Sequence, residues 1–439
     1  MQQTPLSKAH SACISRYLDS YAEPEARSVS TTQIGQFDTL IVIPVYDEAE
    51  QQLQTFLKFN NSRSVLMIWV FNAPESASGS PAHLRTVALQ EKILWQLQAQ
   101  PLNNNCYFAQ VHETLKLLVV NRCQHLIPDK QGVGLARKIG ADLALQLIYQ
   151  QYLHSGYLVP WIFSTDADVC LPAEYALLDA AEPGVSGCVH GFFHRPEAGY
   201  EQAMRQYEFS LHYYVDRLSF AGSPYAFHTI GSLIAIQPLA YAQVRGFPKR
   251  SGAEDFYLLN KLAKVGRIET LAAPIIEIAG RPSHRVPFGT GPALIKINTD
   301  QAQQRNFKVY HPRIFDLLRA LLASLNVIEN SISDLAIPIS SSELTMLTPR
   351  ESQVITEVLM ALGWDKQKPH WQQQKNSQAF LQAFHTWFDA FLTLRFVHEV
   401  RDRLYPNIDL SELPDLFKAD TYTGVTVDYL AWFEELGIS

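Results

Sequence analysis

Hydrophobic residues in the first two thirds of the chain form short continuous runs separated by amphipathic stretches. Four runs rich in β-branched residues predict buried strands, at Thr39–Val45, Val65–Phe71, Leu117–Asn121 and Tyr157–Ser164. The stretches Ala82–Gln98 and Leu135–Tyr152 between them predict helices. Buried strands that alternate with helices are typical of an α/β fold with a mixed, mostly parallel sheet covered on both faces. The carboxyl ends of such strands share one edge of the sheet, where ligands bind.

The pattern changes near residue 306, after which apolar positions recur at helical spacing. Ile314–Leu325 carries such a stripe, and Thr348 with Glu351 predicts a capping box at a helix start. Another stripe is aromatic, at Phe380, Phe384, Trp387, Phe388 and Phe391. It is typical of a core helix, the alternative being a face that binds an acceptor or a membrane surface. We predict an N-terminal extension (1–36), an α/β domain (37–305) and an all-helical C-terminal domain (306–439).

Composition excludes several classes of protein. Of the 439 residues, 47% are hydrophobic and 18% are charged, so a large core can form and global disorder is excluded. The formal net charge of −7 argues against a nucleic-acid polymer as partner. No apolar run approaches the roughly 18 residues of a membrane span, and the first residues lack the apolar stretch of a secretory signal. With five cysteines in no paired spacing, we expect a cytoplasmic protein with reduced thiols.

Two carboxylates directly follow the fourth predicted strand. Asp166 and Asp168 are separated by one residue, so in extended chain their side chains point to the same side. Like charges in that position repel each other unless a cation lies between them. Mg²⁺ or Mn²⁺, held also by phosphate oxygens, would relieve the repulsion. The alternative is a pair of solvated loop aspartates.

A second acidic pair opens a predicted helix. Glu254 and Asp255 precede apolar residues at helical spacing, so both lie in the first helical turn, where the helix dipole favours ionised carboxylates. One of them, aimed into a cleft, could accept a proton from a substrate hydroxyl. Ordinary acidic residues of a first turn are the alternative.

Two cationic segments could bind phosphate. Gly132 and Gly134 precede a predicted helix and are flanked by the cationic Lys130 and Arg137. Free N–H groups at a helix start suit a diphosphate. A plain turn, which has the same pattern, is the alternative. The segment Arg281–Arg285 precedes a glycine-rich loop and contains a histidine that is either structural or a third metal ligand.

Taken in order, these motifs resemble the family 2 glycosyltransferases of GT-A fold. The resemblance covers roughly residues 38 to 295 and rests on Ile41–Glu48, Gly132–Arg137, Asp166 with Asp168, Ile230–Ala235 with Val244–Phe247, and Glu254–Gly266. It implies the Rossmann-like sheet of nucleotide-diphospho-sugar transferases. It also implies metal-dependent transfer of one sugar, with inversion, from a UDP- or GDP-sugar to a hydroxyl of an unidentified acceptor. The segment after residue 306 lies outside the resemblance.

The resemblance also implies roles for individual residues. The donor would be bound by Pro44, Tyr46, Glu48, Asn72, Lys130, Arg137, Asp166 and Arg285. The divalent metal, Mg²⁺ or Mn²⁺, would be held by Asp166, Asp168 and His284, and the acceptor by Gly231 and Ser232. Asp255 would be the general base, with Glu254 beside it in the catalytic pair.

Two other functions are compatible with parts of this pattern. A sugar-nucleotide pyrophosphorylase has a related sheet, but its glycine-rich loop is missing after the first strand, where Pro44–Glu48 stands instead. A catalytically silent scaffold would have no need of Asp166, Asp168, Glu254 and Asp255. The family's second strand usually ends in Asp-rich sequence, whereas Asn72 stands here, which weakens any preference for uracil over guanine.

Overall fold

The computed structural model describes residues 6–179, 182–283, 289–326, 347–419 and 429–438. Within these ranges the strands are β1 (Thr39–Val45), β2 (Val65–Pro74), β3 (Gln100–Pro101), β4 (Cys106–His112), β5 (Leu115–Ile127), β6 (Ile162–Ser164), β7 (Val169–Cys170), β8 (Val185–Pro196), β9 (Ile234–Ile236), β10 (Arg267–Gly280), β11 (Lys308–Val309) and β12 (Ile408–Asp409). The α-helices are α1 (Lys8–Ser20), α2 (Thr31–Ile34), α3 (Glu50–Leu57), α4 (Pro81–Gln96), α5 (Gly132–Ser155), α6 (Glu201–Phe220), α7 (Pro238–Gln243), α8 (Glu254–Leu262), α9 (Thr290–Ala302), α10 (Arg313–Asn326), α11 (Pro349–Leu362), α12 (Trp364–Gln372), α13 (Ser377–Trp387), α14 (Ala390–Arg403), α15 (Leu413–Ala419) and α16 (Tyr429–Leu436). No described helix is long and apolar enough to cross a membrane.

The chain divides into two compact units. The first contains residues up to 195 together with 229–280, and the second contains 196–228, 281–283 and the residues from 289 onward. This division differs from the predicted boundaries at residues 36 and 305. Helix α1 belongs to the first unit, because its apolar face, including the buried Ile14 and Tyr17, packs against α5 and α7. Helices α6 and α9 belong to the second unit and share a small apolar cluster.

The first unit is built on one ten-stranded sheet, and the α/β class is confirmed. Its strand order is β3-β4-β5-β2-β1-β6-β9-β8-β10-β7. The pairs β5–β2, β2–β1 and β1–β6 are parallel, whereas β4 pairs antiparallel with β5, and β9 with both β6 and β8. Every residue of β1 is buried, as expected for a central strand covered on both faces.

A change of direction in the strand order places a crevice beside β1. From β1 the chain proceeds through β2 to β5 on one side, and then α5 crosses back to β6 on the other side. Ligands in open α/β sheets bind at such a switch point, outside the carboxyl ends of the strands. Strand β6 pairs with β1 only as far as Val42, so the ring of Pro44 removes no hydrogen bond from that ladder. The carboxyl ends of β1 and β6 therefore separate beyond Val42 and leave the crevice open between them.

The second unit has a helical core rich in aromatic residues. Phe380, Phe384 and Phe388 are each at most 1% exposed and belong to the same cluster as the apolar stripe of α10. The prediction of a core helix is confirmed for these three residues. It is wrong for Phe391, which is 43% exposed, because α13 ends at Trp387 and a new helix, α14, begins at Ala390.

The predicted capping box is present at the start of α11. The backbone N–H of Glu351 donates to the Thr348 hydroxyl at 3.2 Å, and the Thr348 N–H donates to the Glu351 carboxylate at 2.6 Å. We expect Thr348→Ala to lower the free energy of unfolding by about 1 kcal/mol, because it leaves an N–H of the first turn without its acceptor. Urea unfolding measures the change. Thr348→Ser keeps the hydroxyl and is expected to change stability by less than half as much, so equal losses would contradict this origin.

Candidate functional site

Arg137, in the second turn of α5, joins the acidic groups at the carboxyl edge of the sheet. Its Nε donates to Glu254 Oε1 at 2.9 Å, and its Nη2 donates to Asp166 Oδ1 at 2.5 Å. Its Nη1 donates to the hydroxyl of Ser164, the last residue of β6, at 2.9 Å. The Arg137 side chain is 3% exposed and that of Glu254 5%, whereas that of Asp166 is 35% exposed. The guanidinium thus holds the end of β6 and the start of α8 together.

Burial and the neighbouring carboxylates act in opposite directions on the pKa of Arg137. Burial alone would lower the pKa of its guanidinium, but the carboxylates of Asp166, Glu254 and Asp255 outweigh it and raise the pKa further above its ordinary value. Arg137 is therefore always charged. Most of its N–H groups are directed at the protein itself rather than outward.

Gly231 makes room for this guanidinium. A Cβ atom on Gly231 would lie 2.4 Å from Arg137 Nη2, so any larger residue would displace the ion pairs. The neighbouring Ser232 is 1% exposed, and its hydroxyl has no hydrogen-bond partner among the residues that the structure describes. The acceptor-binding role of both residues stays a prediction, while the contact with Arg137 gives the glycine a structural reason.

Asp255 stands beside this cluster in the first turn of α8, next to Glu254. Burial, followed by the charge of Glu254, raises the pKa of Asp255 to about 7, although Arg137 acts in the opposite direction. Its Oδ1 accepts the backbone N–H of Phe256 at 2.7 Å. A carboxyl group with a pKa near neutrality can take up and release a proton at physiological pH, which an ordinary aspartate cannot do efficiently.

The start of α5 packs against the loop that precedes α8. The N–H of Gly134 donates to the carbonyl of Arg250 at 3.0 Å, and a Cβ on Gly134 would lie 2.5 Å from the carbonyl oxygen of Pro248. A Cβ on Gly132 would lie 2.6 Å from Cα of Ser251. Close packing of backbone on backbone therefore accounts for both glycines. Lys130, predicted to bind the donor, is exposed in the preceding turn.

The ends of β1 and β2 contain the residues predicted to bind a nucleoside. Pro44 is buried within β1, and Tyr46 and Glu48 lie half-buried in the loop that follows. Asn72 is buried, and its Nδ2 donates to the carbonyls of Val45 at 3.2 Å and Val70 at 3.1 Å. Both amide hydrogens are thereby directed at backbone, so toward a base Asn72 offers its carbonyl oxygen.

Asp47, which lies between Tyr46 and Glu48, has a partner that could not be predicted from the sequence. Asp47 forms a two-pronged ion pair with Arg85 of α4, with distances of 2.8 and 3.0 Å, and has a positive φ of 52°. Its backbone N–H donates to Thr86 at 2.9 Å. These contacts hold the loop after β1 in place at the switch point.

The predicted metal ligands are described only in part. Asp166 and Asp168 lie in and beside the turn after β6, each partly exposed, whereas His284 and the donor-binding Arg285 lie outside the described residues. Among the residues that the structure describes, no three His, Cys, Asp or Glu side chains form a metal cluster. Two hard carboxylates nevertheless fit Mg²⁺ or Mn²⁺ when phosphate oxygens and water complete the coordination, which is how Mg²⁺ is commonly bound.

A buried polar network beside Arg137 was also missed. Asp142 of α5 accepts hydrogen bonds from Lys138 Nζ at 2.8 Å, from the Tyr241 hydroxyl at 2.7 Å and from the Tyr17 hydroxyl. Burial raises the pKa of Asp142, and Lys138 opposes that shift. The network fixes α1 and α7 against α5. The spacing of Lys138 and Asp142, four residues apart on an otherwise apolar helix, is the feature that could have revealed it.

Comparisons with known proteins find similarity only among solved structures. No protein-family profile matches the chain, and no curated protein sequence matches it. Among solved structures, the mannosyltransferase PcManGT from Pyrobaculum calidifontis in complex with GDP-Man and Mn2+ is similar over 86% of this chain and 95% of that chain, with 16% identity and a TM-score of 0.33. A TM-score this low bears on neither the fold nor the function of the present chain.

Proposed function

We propose that this protein is a glycosyltransferase that moves one sugar from a nucleotide-sugar donor to an acceptor hydroxyl with inversion at the anomeric carbon. The observation that carries the proposal is a cluster of charged side chains. Arg137 joins Asp166, which follows β6, to Glu254 at the start of α8, and Asp255 is the next residue. This cluster lies at the switch point of the sheet, where ligands of open α/β folds bind. It combines a partly exposed carboxylate that suits a metal–phosphate complex with a carboxyl group whose pKa is raised to about 7.

Each residue then has a defined task. Asp255 accepts the proton of the acceptor hydroxyl as that oxygen attacks the anomeric carbon from the side opposite the leaving nucleoside diphosphate. Arg137 and Glu254 are positioning residues, because they hold the start of α8 against the end of β6. The loop after β1 and the carbonyl of Asn72 line the nucleoside pocket. Asp166 and Asp168 would hold a divalent cation, which when bound would neutralise charge on the diphosphate.

A screen of nucleotide-sugars tests the proposal directly. The full-length protein is mixed with UDP- and GDP-sugars, with and without Mn²⁺, and its melting temperature and the release of free sugar are measured. We expect at least one donor to raise the melting temperature only when Mn²⁺ is present. Stabilisation by no donor would favour a silent scaffold, and a product that retains the anomeric configuration would exclude the role given to Asp255.

Asp168→Ala is expected to weaken binding of the selected donor about tenfold in the presence of Mn²⁺, and much less in its absence. The physical reason is the loss of one of two carboxylate ligands for the cation that bridges protein and diphosphate. Isothermal titration with the non-reacting nucleoside diphosphate measures the affinity. Asp179→Ala, which removes an exposed carboxylate after β7, is the matched control, and equal weakening in both variants would contradict the assignment.

A further inference from the structure

Helix α8, which carries Asp255 in its first turn, is held at both of its ends. Arg137 of α5 binds its start through the ion pair described above. Lys261 lies in its last turn, and Lys261 Nζ donates to the carbonyls of Val244 and Gly246, at 2.7 Å each. Both carbonyls belong to the turn that follows α7. The position of α8 therefore depends on that turn as well as on Arg137.

The turn after α7 is supported by two tyrosine hydroxyls. Gly246 has a φ of 67°, which favours glycine. A Cβ atom at this position would collide with the hydroxyl oxygen of Tyr17 and would lie 2.7 Å from that of Tyr241. The two rings meet edge to face, with their centroids 5.6 Å apart. Both hydroxyls thus lie directly against the backbone whose carbonyl Lys261 binds.

A buried carboxylate fixes both hydroxyls. The Tyr241 hydroxyl donates to Asp142 Oδ1 at 2.7 Å, and the Tyr17 hydroxyl donates to the same oxygen. Lys138 Nζ donates to Asp142 Oδ2 at 2.8 Å and to the Tyr17 hydroxyl oxygen at 2.6 Å. Burial and the charge of Asp142 raise the pKa of Tyr17, so its hydroxyl stays protonated and remains a donor. We call these four residues, Tyr17, Lys138, Asp142 and Tyr241, the Tyr17 network.

Helix α5 reaches both ends of α8. Arg137 and Lys138 are neighbours on α5: the first binds the start of α8, and the second belongs to the network beneath the turn that Lys261 binds. Tyr17 enters the network from α1, which lies in the predicted N-terminal extension and packs against α7 and α5. Because the network is buried, its hydrogen bonds are shielded from water and keep a defined geometry.

We propose that Tyr17 is a positioning residue for α8 and, through it, for the carboxyl group of Asp255. A helix held at its start alone can swing about that contact, whereas a second contact at its end fixes its direction. Asp255 and Lys261 are about 9 Å apart along the helix axis, so a shift at the end of α8 moves the carboxyl group. The proposal rests on the proposed function for the role of Asp255 as the base.

Tyr17→Phe tests the effect on the reaction, because it removes one hydroxyl and keeps the ring. We expect kcat to fall about tenfold, since a base displaced by less than about 1 Å transfers a proton less efficiently. The KM of the donor should stay unchanged. Tyr21→Phe, which removes a hydroxyl from a 41% exposed tyrosine at the end of the same helix, is the matched control and should change neither constant.

Hydrogen exchange of the full-length protein tests the hold on α8 without any substrate. In Tyr17→Phe and in Lys261→Met we expect the amides of α8 to exchange about tenfold faster. The amides of α4, a helix of the same unit that none of these contacts reaches, should keep their rates. Tyr21→Phe should change neither helix. Melting temperatures show whether each variant is folded, and the two variants on different helices keep the test valid if one unfolds.

Unchanged exchange in α8 of both variants would overturn the proposal, whether or not the protein transfers sugar. Equal acceleration in α4 and α8 would also overturn it, because the hydroxyl would then stabilise the unit as a whole. A donor affinity that falls as much as kcat in Tyr17→Phe would exclude the role toward Asp255. Absence of transfer by the unchanged protein would overturn the proposed function, while the exchange rates alone decide whether Tyr17 holds α8.

Discussion

Asp255→Asn is expected to lower turnover by at least about a hundredfold and to leave the affinity for the nucleotide-sugar donor unchanged. The amide has nearly the size of the carboxyl group but cannot take the proton of the acceptor hydroxyl. In the unchanged protein, burial and the charge of Glu254 raise the pKa of Asp255 to about 7. Since the base must be ionised to act, kcat/KM should rise with pH up to about 7 and level off above it.

Steady-state kinetics from about pH 5 to 9 check the turnover and its pH dependence. A separate titration measures the affinity for the donor. In the Asn variant the residual rate should lose the step in its pH profile near 7. Asp179→Asn, at an exposed position after β7, is the matched control and should leave rate and profile unchanged. Equal losses of turnover and of donor affinity in Asp255→Asn would show that this carboxylate binds the donor instead.

The centre of the sheet could be predicted because its strands are buried on both faces. Strand β1 has the predicted bounds, and β2 and β5 contain the predicted runs. Strand β6 begins only at Ile162, because Gly156 in a left-handed conformation ends α5 and the apolar residues after it form a connector. The antiparallel strands β8 and β10 were missed. Both alternate buried with more exposed residues along part of their length, and the apolar run of β10 contains Pro274, which argues against a strand.

The sequence motifs single out charged residues that the fold brings together, namely Arg137, Asp166 and Glu254, but they do not reveal the contacts between them. Arg137 was expected near a diphosphate because it follows two glycines at a helix start. Its main partner, Glu254, lies 117 residues away in the sequence, and only the packing of α8 against α5 brings the two together. Gly231 was assigned to an acceptor site from a local motif. Such a motif does not reveal that the missing Cβ of Gly231 leaves space for Arg137.

Arg137→Met is expected to lower the free energy of unfolding by about 3–5 kcal/mol, since it leaves Glu254 as a buried, uncompensated carboxylate. Activity should fall with it, because Asp166 and the first turn of α8 lose their common partner. Urea unfolding and steady-state kinetics measure the two effects. Arg85→Met is the matched control for stability: it breaks the ion pair of an exposed arginine with Asp47 and should lower the free energy of unfolding far less.

A second substitution separates positioning from direct donor binding by Arg137. In the double variant Arg137→Met with Glu254→Gln, the buried charge is gone, so a large part of the lost stability should return. Turnover should stay low, because nothing then holds the start of α8 to the end of β6. Arg137→Lys retains the charge but loses the planar set of donors that reaches Glu254, Ser164 and Asp166 together. If Arg137→Lys keeps full stability and loses only donor affinity, the guanidinium binds the diphosphate and the positioning role is excluded.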